Sequence, residues 1–368
     1  MSYTILHTEA STGWGGQEKR ILAEIVSLRE KGHTFYLACQ PHSKILKAAR
    51  DKDIKCIPLK MSSSISLSAI YRLRKIIRDN NVDIVNTHSS IDSWLIGFVK
   101  FCTSVPLVMR TRHLSTPVTN KFVYTHMTDF IVTTAQSIKE SLCLLGVSPE
   151  NVCSVPTGVD EHLFNPDNYD KTVARKKLNL NDGDMVIGNV SILRSWKGHV
   201  DFISVAERVL RVFPRAKFLI VGDGPQRESI AAIIKEKGLD GRVIMLGYRE
   251  DIPEILSALD IFLFTSYANE GVPQAVLQAL AMKKAVVAGD IGGVCETVIN
   301  EKTGLICQPR DIECMTNYLI KYIHDGDLRQ NCGVEGNKRV REMFTLTHTI
   351  DVIGQIYERC LKKAGSEQ

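Results

Sequence analysis

Short apolar runs alternate with helix-patterned segments along almost the whole chain, in two series separated by one polar stretch. Strands buried on both faces of a parallel sheet read as near-continuous apolar runs, and parallel neighbours need a crossover, usually a helix, between them. The alternation therefore predicts α/β layers built on parallel sheets with helices on both faces. The first series places strands near Thr4–His7, Thr34–Cys39, Cys56–Leu59, Ile84–Thr87, Leu107–Arg110, Phe130–Thr133 and Val152–Val155. Helical patterns such as Gln17–Lys31 and Leu67–Asp79 lie between them. From Glu161 to Gly183 the chain turns polar, with Asn165-Pro166-Asp167-Asn168 and the turn Asn181-Asp182-Gly183, which reads as a connection between domains. A second series follows, with strands near Val186–Val190, Lys217–Val221, Val243–Leu246, Ile261–Phe264, Ala285–Ala288 and Gly304–Ile306, and the chain closes on a helical pattern over Leu346–Lys363. A length of 368 residues suits two ordinary domains. The expected division is 1–160, a linker over 161–183, 184–345, and a closing helix over 346–368 that returns to the first domain.

Composition narrows the function classes. No apolar run approaches the ~20 residues needed to cross a bilayer. The first residues lack the basic-then-apolar order of a secretory signal, so a cytoplasmic protein is expected. Ten cysteines are scattered without a C-x-x-C pair, and Cys295, Cys307 and Cys314 have no histidines at zinc spacing. Free thiols in a reducing compartment follow. A net charge of +5 fits anionic small molecules or an anionic membrane surface and is too weak to argue for nucleic acid. The strings Asp182–Asp184 and Asp325–Asp327 read as turns, and no metal is assigned.

In sheets of this kind ligands bind beyond the carboxyl ends of the strands. Polar clusters fall at those places: Gly13-Trp14-Gly15-Gly16-Gln17-Glu18 after the first strand, Thr87-His88-Ser89-Ser90, and Arg110-Thr111-Arg112-His113. In the second series they are Ser191 through His199, Gly222-Asp223-Gly224-Pro225, and Thr265 through Glu270. The stretch Glu270–Glu296 sets a carboxylate and Gly271 ahead of a helix that opens at Pro273, and closes on the turn Gly292-Gly293. A helix N-terminus holds anions, whereas a carboxylate accepts from hydroxyls, so the pair suits a ligand that is part phosphate and part sugar. A capped βα unit that binds nothing is the alternative. Gly13-x-Gly15-Gly16 lacks the third glycine of a dinucleotide fingerprint, which argues against NAD.

With these residues in hand the chain resembles the retaining, sugar-nucleotide-dependent glycosyltransferases of family 4, which have two facing Rossmann-like domains, the GT-B architecture. The resemblance covers nearly the whole chain. It rests on the N-terminal Gly-Gly loop, Arg194…Lys197-Gly198, Val221-Gly222-Asp223-Gly224-Pro225, and Glu270 with its downstream Gly-Gly turn. Val155-Pro156-Thr157-Gly158-Val159-Asp160 resembles the family's exit from the first domain, with Thr157 where Asn usually stands. The segments Asn86–Ser90 and Thr111–Ser115 resemble bacterial members that build lipopolysaccharide or related surface glycans.

The resemblance implies a transfer without cofactor or metal, in which the nucleotide-sugar is a substrate and a growing glycan or glycolipid is the acceptor. Arg194 and Lys197 are expected to clamp the departing diphosphate, one as a bidentate fork and one as a point charge; a solvated basic turn is the alternative. Gly198 would let the donor approach the backbone closely, and Gly15 and Gly16, placed with the donor, would admit a phosphate or the acceptor, against a reading of those two as a plain tight turn. Glu270 is implied to hold donor-sugar hydroxyls, with Gly271 and Gln274 beside it. The family's second carboxylate position falls on Gln278, a neutral amide that offers one acceptor and two donors. His113 resembles the family's histidine near the donor sugar, while His88, Arg110 and Arg112 are candidates for the acceptor. For these four, local hydrogen bonding or surface pairing is the competing account. The basic, amphipathic helix carrying Arg72, Arg74, Lys75 and Arg78 is a candidate for attachment to the inner face of a membrane, or simply a solvated face. Two other functions stay open: a non-catalytic nucleotide-sugar-binding partner of an active transferase, and a nucleotide-sugar epimerase.

Overall fold

The computed structural model describes residues 2–103, 105 and 107–366. Residues 1, 104, 106, 367 and 368 fall inside the expected domains and lie outside the described residues. The chain divides into two compact units, Met1–Thr157 with His348–Gln368, and Gly158–Thr347.

The first unit is a seven-stranded sheet, β1 (Thr4–Glu9), β2 (Thr34–Cys39), β3 (Lys55–Pro58), β4 (Ile84–Thr87), β5 (Leu107–Arg112), β6 (Phe130–Thr133) and β7 (Val152–Ser154), in the order β3-β2-β1-β4-β5-β6-β7. Every pairing is parallel. The second is a six-stranded sheet, β8 (Met185–Val190), β9 (Ala216–Val221), β10 (Val243–Gly247), β11 (Ile261–Phe264), β12 (Ala285–Gly289) and β13 (Leu305–Cys307), in the order β10-β9-β8-β11-β12-β13 and again parallel throughout. The strand order reverses between β1 and β4 in one sheet and between β8 and β11 in the other. Such reversals open a crevice at the carboxyl edge where ligands bind.

The strands lie where the apolar runs predict them to within a residue at most ends, and two run on by two residues. β1 continues through Thr8 and Glu9, which pair with Ala38 and Cys39, and β5 continues through Thr111 and Arg112, which pair with Val132 and Thr133. Backbone pairing is indifferent to side-chain polarity, so the ladder runs on where the apolar pattern stops. The extra residues bring Glu9 and Arg112 to the carboxyl edge.

Each sheet has its own core. Leu6, Val85, Leu95, Ile96 and Val108 pack with Leu73 and Ile77 in the first unit. Ile187, Phe202, Phe218, Ile261 and Tyr322 belong to the core of the second. The polar segment 161–183 lies in the second unit and carries the helix Lys171–Lys177. Arg175 on that helix is buried, bonded to Asp260 at 2.7 Å and to the carbonyl of Ala258 at 3.1 Å. The ends of this unit meet: Val159 N–H donates to Phe344 and Leu346 N–H donates to Val159, at 2.8 and 2.7 Å. The closing helix Leu346–Ser366 then runs into the first unit, where Thr349 bonds the carbonyl of Pro156 at 3.1 Å.

Candidate functional site

In the second unit the loops after β8 and β11 interlock at the switch point. Thr265 Oγ1 donates to the carbonyl of Lys197 at 3.0 Å, Ser266 Oγ to that of Trp196 at 3.1 Å, and Tyr267 N–H to the same carbonyl at 3.0 Å. Gly198 is required by this approach: its φ is +70° and a Cβ there would lie 2.0 Å from the Thr265 carbonyl oxygen. Its freedom thus serves loop against loop. Lys197 Nζ pairs with Glu270 Oε1, which also accepts from Ser266 Oγ. Among the described residues, Glu270 Oε2 has no bonded partner and is left as an acceptor. Glu270 is buried, and its backbone is held by Gly292, where a Cβ would meet the Glu270 carbonyl oxygen at 2.3 Å. Gly271 also receives the N–H of Gly293 at 2.9 Å.

The helix Gln274–Ala281 follows, capped by Pro273, whose carbonyl accepts from Val276 at 3.1 Å. Gln274 and Gln278 are half-buried and one turn apart, so they share a face. Arg194 is exposed, with its guanidinium 5.2 Å from the Trp196 ring centre. The structure thus brings Arg194, Lys197, Gly198, Glu270 and Gly271 to one edge of one sheet. His199 opens the next helix and is buried, with Nε2 3.0 Å from Ser191 Oγ. Burial and the neighbouring Lys197 charge push its pKa down to about 4. An unfolded histidine protonates near pH 6.5, so this site is fully stabilising above that pH, and stability is lost as pH falls toward 4. From pH 7 to pH 5 the loss attributable to His199 is on the order of 2 kcal/mol. Urea midpoints at both pH values, for wild type and His199→Gln, should show the variant losing less on acidification.

In the first unit the carboxyl edge is acidic. Glu9 accepts from Ser11 N–H at 2.7 Å and from Gln17 Nε2. Asp92 accepts from Thr8 Oγ1 at 2.8 Å and from the N–H groups of His88 and Ser89 at 2.9 and 2.8 Å. Burial, with Asp92 nearby, pushes Glu9 up to about 8; burial raises Asp92 as well. Gly15 and Gly16 open the helix Gly16–Glu30, but the Gly15 N–H is already bonded to Glu18 Oε2 at 2.7 Å. With Glu9 and Glu18 on this turn, the Gly-Gly loop suits a hydroxyl better than a phosphate, the acceptor rather than the donor phosphate of the two ligands expected there.

The candidates on β4 and β5 also change character. His88, expected to face an acceptor, is 4% exposed and has both ring nitrogens bonded, Nε2 to His7 at 2.8 Å and Nδ1 to His113 Nε2 at 3.1 Å. It is an internal link, not a contact surface. Arg110 is buried with its guanidinium 4.1 Å from the Tyr124 ring centre. Arg112 is half-buried and donates to Tyr124 Oη and the Thr116 carbonyl. Among the described residues neither arginine forms an ion pair; alternation along β5 does put both against one aromatic ring.

The remaining motifs are structural. Asp184 accepts from Asn181 N–H at 2.9 Å, and Asp325 caps the helix Gly326–Met343 by accepting from Leu328 N–H at 2.8 Å. Among the described residues no group of three or more His, Cys, Asp or Glu could hold a metal ion. All ten cysteines are free thiols. No helix among the described residues is long and apolar enough to cross a membrane.

Residues 14–163 match the family model described as Glycosyltransferase Family 4, and residues 170–339 match that described as Glycosyl transferases group 1. The chain is 27% identical over 310 residues to the UDP-Gal:alpha-D-GlcNAc-diphosphoundecaprenol alpha-1,3-galactosyltransferase of Escherichia coli, covering 79% of each protein. The crystal structure of a glycosyltransferase from Rickettsia africae superposes with a TM-score of 0.88 at 24% identity, covering 98% of this chain and 99% of that one. Anabaena HepE in complex with UDP superposes at 0.87 with 18% identity, covering 97% and 100%. Those likenesses show the fold: two parallel-sheet α/β domains of the GT-B type. With both halves matched by the family models, the chain belongs to the family 4, group 1 type of glycosyltransferases.

Proposed function

We propose that this glycosyltransferase is retaining and metal-independent, and that it moves a hexose-type sugar from a nucleotide-sugar to a lipopolysaccharide or other surface-glycan acceptor. The observation that carries this is the edge built from Arg194, Lys197 and Glu270 at the β8/β11 switch point. Positive charge for a departing diphosphate and a carboxylate with a free oxygen for a sugar hydroxyl stand together there. In the step proposed, the bond from the sugar's anomeric carbon to the diphosphate breaks, and the acceptor oxygen bonds the same carbon on the same face. The acceptor proton goes to the departing phosphate oxygen. Charge separates in that transition state, positive on the sugar and negative on the diphosphate, so fixed charges at the two ends supply the main catalytic term. Gln278 is assigned to the ribose, and Gln274 and Gly271 to the donor beside Glu270. His113 is assigned to a donor-sugar hydroxyl and Arg112 to the acceptor side.

A UDP-sugar is the first donor to offer, because the Escherichia coli relative acts with UDP-Gal and HepE is solved with UDP. That relative's acceptor is a diphosphoundecaprenol glycolipid, so the acceptor to offer is a glycan on such a lipid. Retention is tested by the anomeric coupling constant of the product; a product of inverted configuration would rule out the same-face step. Gln278 favours one other reading, a partner that binds nucleotide-sugar without turnover. Donor binding without transfer to any lipid-linked acceptor, and transfer appearing only in Gln278→Glu, would establish it.

A lipid-linked acceptor also gives a use to the helix Leu67–Asp79. Ala69, Leu73 and Ile77 face the core, whereas Ile65, Leu67 and Tyr71 are 71, 81 and 69% exposed. Arg72, Arg74, Lys75 and Arg78 are exposed beside them. Apolar side chains flanked by cations suit the face of an anionic bilayer, where each cation contributes about 1 kcal/mol. Wild type should float with liposomes containing anionic lipid, and the variant with Arg72, Arg74, Lys75 and Arg78 changed to Gln should stay at the bottom. Equal flotation of both would remove the helix from the account.

A further inference from the structure

The geometry points to a buried relay in the first unit, in which the carboxylate of Glu24, through His7 and His88, holds His113 as the Nε2–H tautomer and leaves its Nδ1 as a hydrogen-bond acceptor for a hydroxyl. None of Glu24, His7 and His88 touches the ligand; they are positioning residues. The ligand half of the inference rests on the assignment of His113 to a sugar hydroxyl, whereas the tautomer half concerns the chain alone.

The three rings form a line. His7 Nδ1 is 2.8 Å from His88 Nε2 with ring centres 5.0 Å apart, and His88 Nδ1 is 3.1 Å from His113 Nε2 with ring centres 5.4 Å apart. In both pairs the centre-to-centre distance exceeds the N···N distance by about two ring radii. The nitrogens therefore lie between the ring centres, and the rings meet edge to edge along their N–H and lone-pair directions, the geometry of a directed hydrogen bond. Burial pushes the pKa of all three histidines down, so each is neutral, with one donor and one acceptor nitrogen. A chain of such rings has two polarities, and whatever lies at its buried end selects one.

That end is an anion. His7 Nε2 is buried and 3.8 Å from Glu24 Oε1. Glu24 is held by the hydroxyl of Tyr357, at 2.8 Å, from the closing helix. Tyr357 donates because its oxygen faces an Asn86 Nδ2 donor at 3.5 Å, and Asn86 is oriented by Thr111, which donates to its Oδ1 at 3.0 Å. Arg20 Nε lies 3.9 Å from the other Glu24 oxygen and keeps a charged partner beside it. An N–H on His7 Nε2 faces the carboxylate favourably, whereas a lone pair there would be repelled at low dielectric. Protonation of His7 Nε2 leaves Nδ1 to accept from His88 Nε2–H, and His88 Nδ1 then accepts from His113 Nε2–H. His113 is the half-buried end of the line, and among the described residues its Nδ1 has no bonded partner.

The test is long-range ¹H–¹⁵N correlation NMR on the full chain labelled with ¹⁵N-histidine, with His113 assigned by its disappearance in His113→Gln. In wild type at pH 8, His113 should show a protonated Nε2 and an unprotonated Nδ1. In Glu24→Gln and in His7→Phe, which keeps a buried ring, the two nitrogens should move toward an averaged mixture. A protonated Nδ1 in wild type, or a His113 pattern unchanged in both variants, overturns the relay. A panel of monodeoxy donors tests the hydroxyl: His7→Phe should lower kcat/KM about tenfold for the parent sugar, with no further loss for the one lacking the contacted hydroxyl. Equal losses across the panel would refute the hydroxyl assignment. Absence of turnover in wild type would defeat the transferase reading, while the spectra would still decide the relay.

Discussion

Replacing Lys197 by alanine is expected to lower the transfer rate by about 10²–10³-fold, the scale for losing one fixed group aimed at developing charge. Lys197 is paired with Glu270, which lowers the field that a bare carboxylate would present to an incoming diphosphate. As negative charge builds on the departing group, the ammonium is already within its reach and needs no reorganisation. The loss should fall mainly on kcat, because the contact strengthens in the transition state. Lys197→Arg should recover part of the rate and Glu270→Gln should lose a comparable factor, since the neutral amide no longer sets the lysine. Far-ultraviolet dichroism should stay near wild type, whereas the melting midpoint should fall, because Lys197→Ala leaves the buried Glu270 carboxylate with Ser266 but without its counter-charge; rates are therefore compared well below that midpoint. Transfer by Lys197→Ala within threefold of wild type would remove the lysine from the clamp.

The largest stability effect is expected at Asp260, far from that edge. Its carboxylate accepts from Arg175, Lys171 and the Val186 N–H at 2.7, 2.6 and 2.8 Å. Burial alone would push its pKa up, but Lys171, the Val186 N–H and Arg175 outweigh it and hold the carboxyl below its usual value. This contribution is present above the unfolded carboxyl pKa near 4 and disappears as pH falls through the folded value. Asp260→Ala leaves the Arg175 guanidinium buried without its counter-charge and should cost about 3–5 kcal/mol. Arg175→Met with Asp260→Leu removes both charges together and should cost much less, because neither is then stranded. Urea unfolding at pH 7 separates the two variants; a single mutant within about 1 kcal/mol of wild type would mean that the pair behaves as an exposed one.

Much of the fold could be read from the chain because its strands are covered on both faces. Runs such as Ile261–Phe264 and Ala285–Ala288 are apolar at every position, so their number and order needed no tertiary knowledge. The loops after β8 and β11 were legible for the same reason: the chain itself places them at the carboxyl edge. What escaped was long-range. Glu24 and Tyr357 are 333 residues apart, and Asn86 and Tyr357 are 271 apart, so no local pattern links them. Some signal was present in the helix Gly16–Glu30, where Arg20 and Glu24, four apart, stand beside the apolar Ile21 and Ile25. Charged residues on the inner face of a helix require partners. Glu9 was missed because it ends its strand, where a polar residue reads as the start of a loop, and Asp92 because it sits in the first turn of the helix Ser90–Cys102, where a carboxylate reads as an ordinary cap. His88 shows the converse, a histidine in a strand-to-helix loop that resembles a contact residue and is used internally.

The most direct test of the central claim is calorimetric titration, without added metal, of UDP-, GDP-, ADP- and CMP-linked sugars into wild type and into Arg194→Ala/Lys197→Ala. The account predicts that wild type binds sugars linked to at least one of these nucleotides, UDP first, and that the double variant, equally folded, loses that binding. If folded wild type bound none of them, or if the double variant bound with undiminished affinity, the edge at β8 and β11 would not be the donor site.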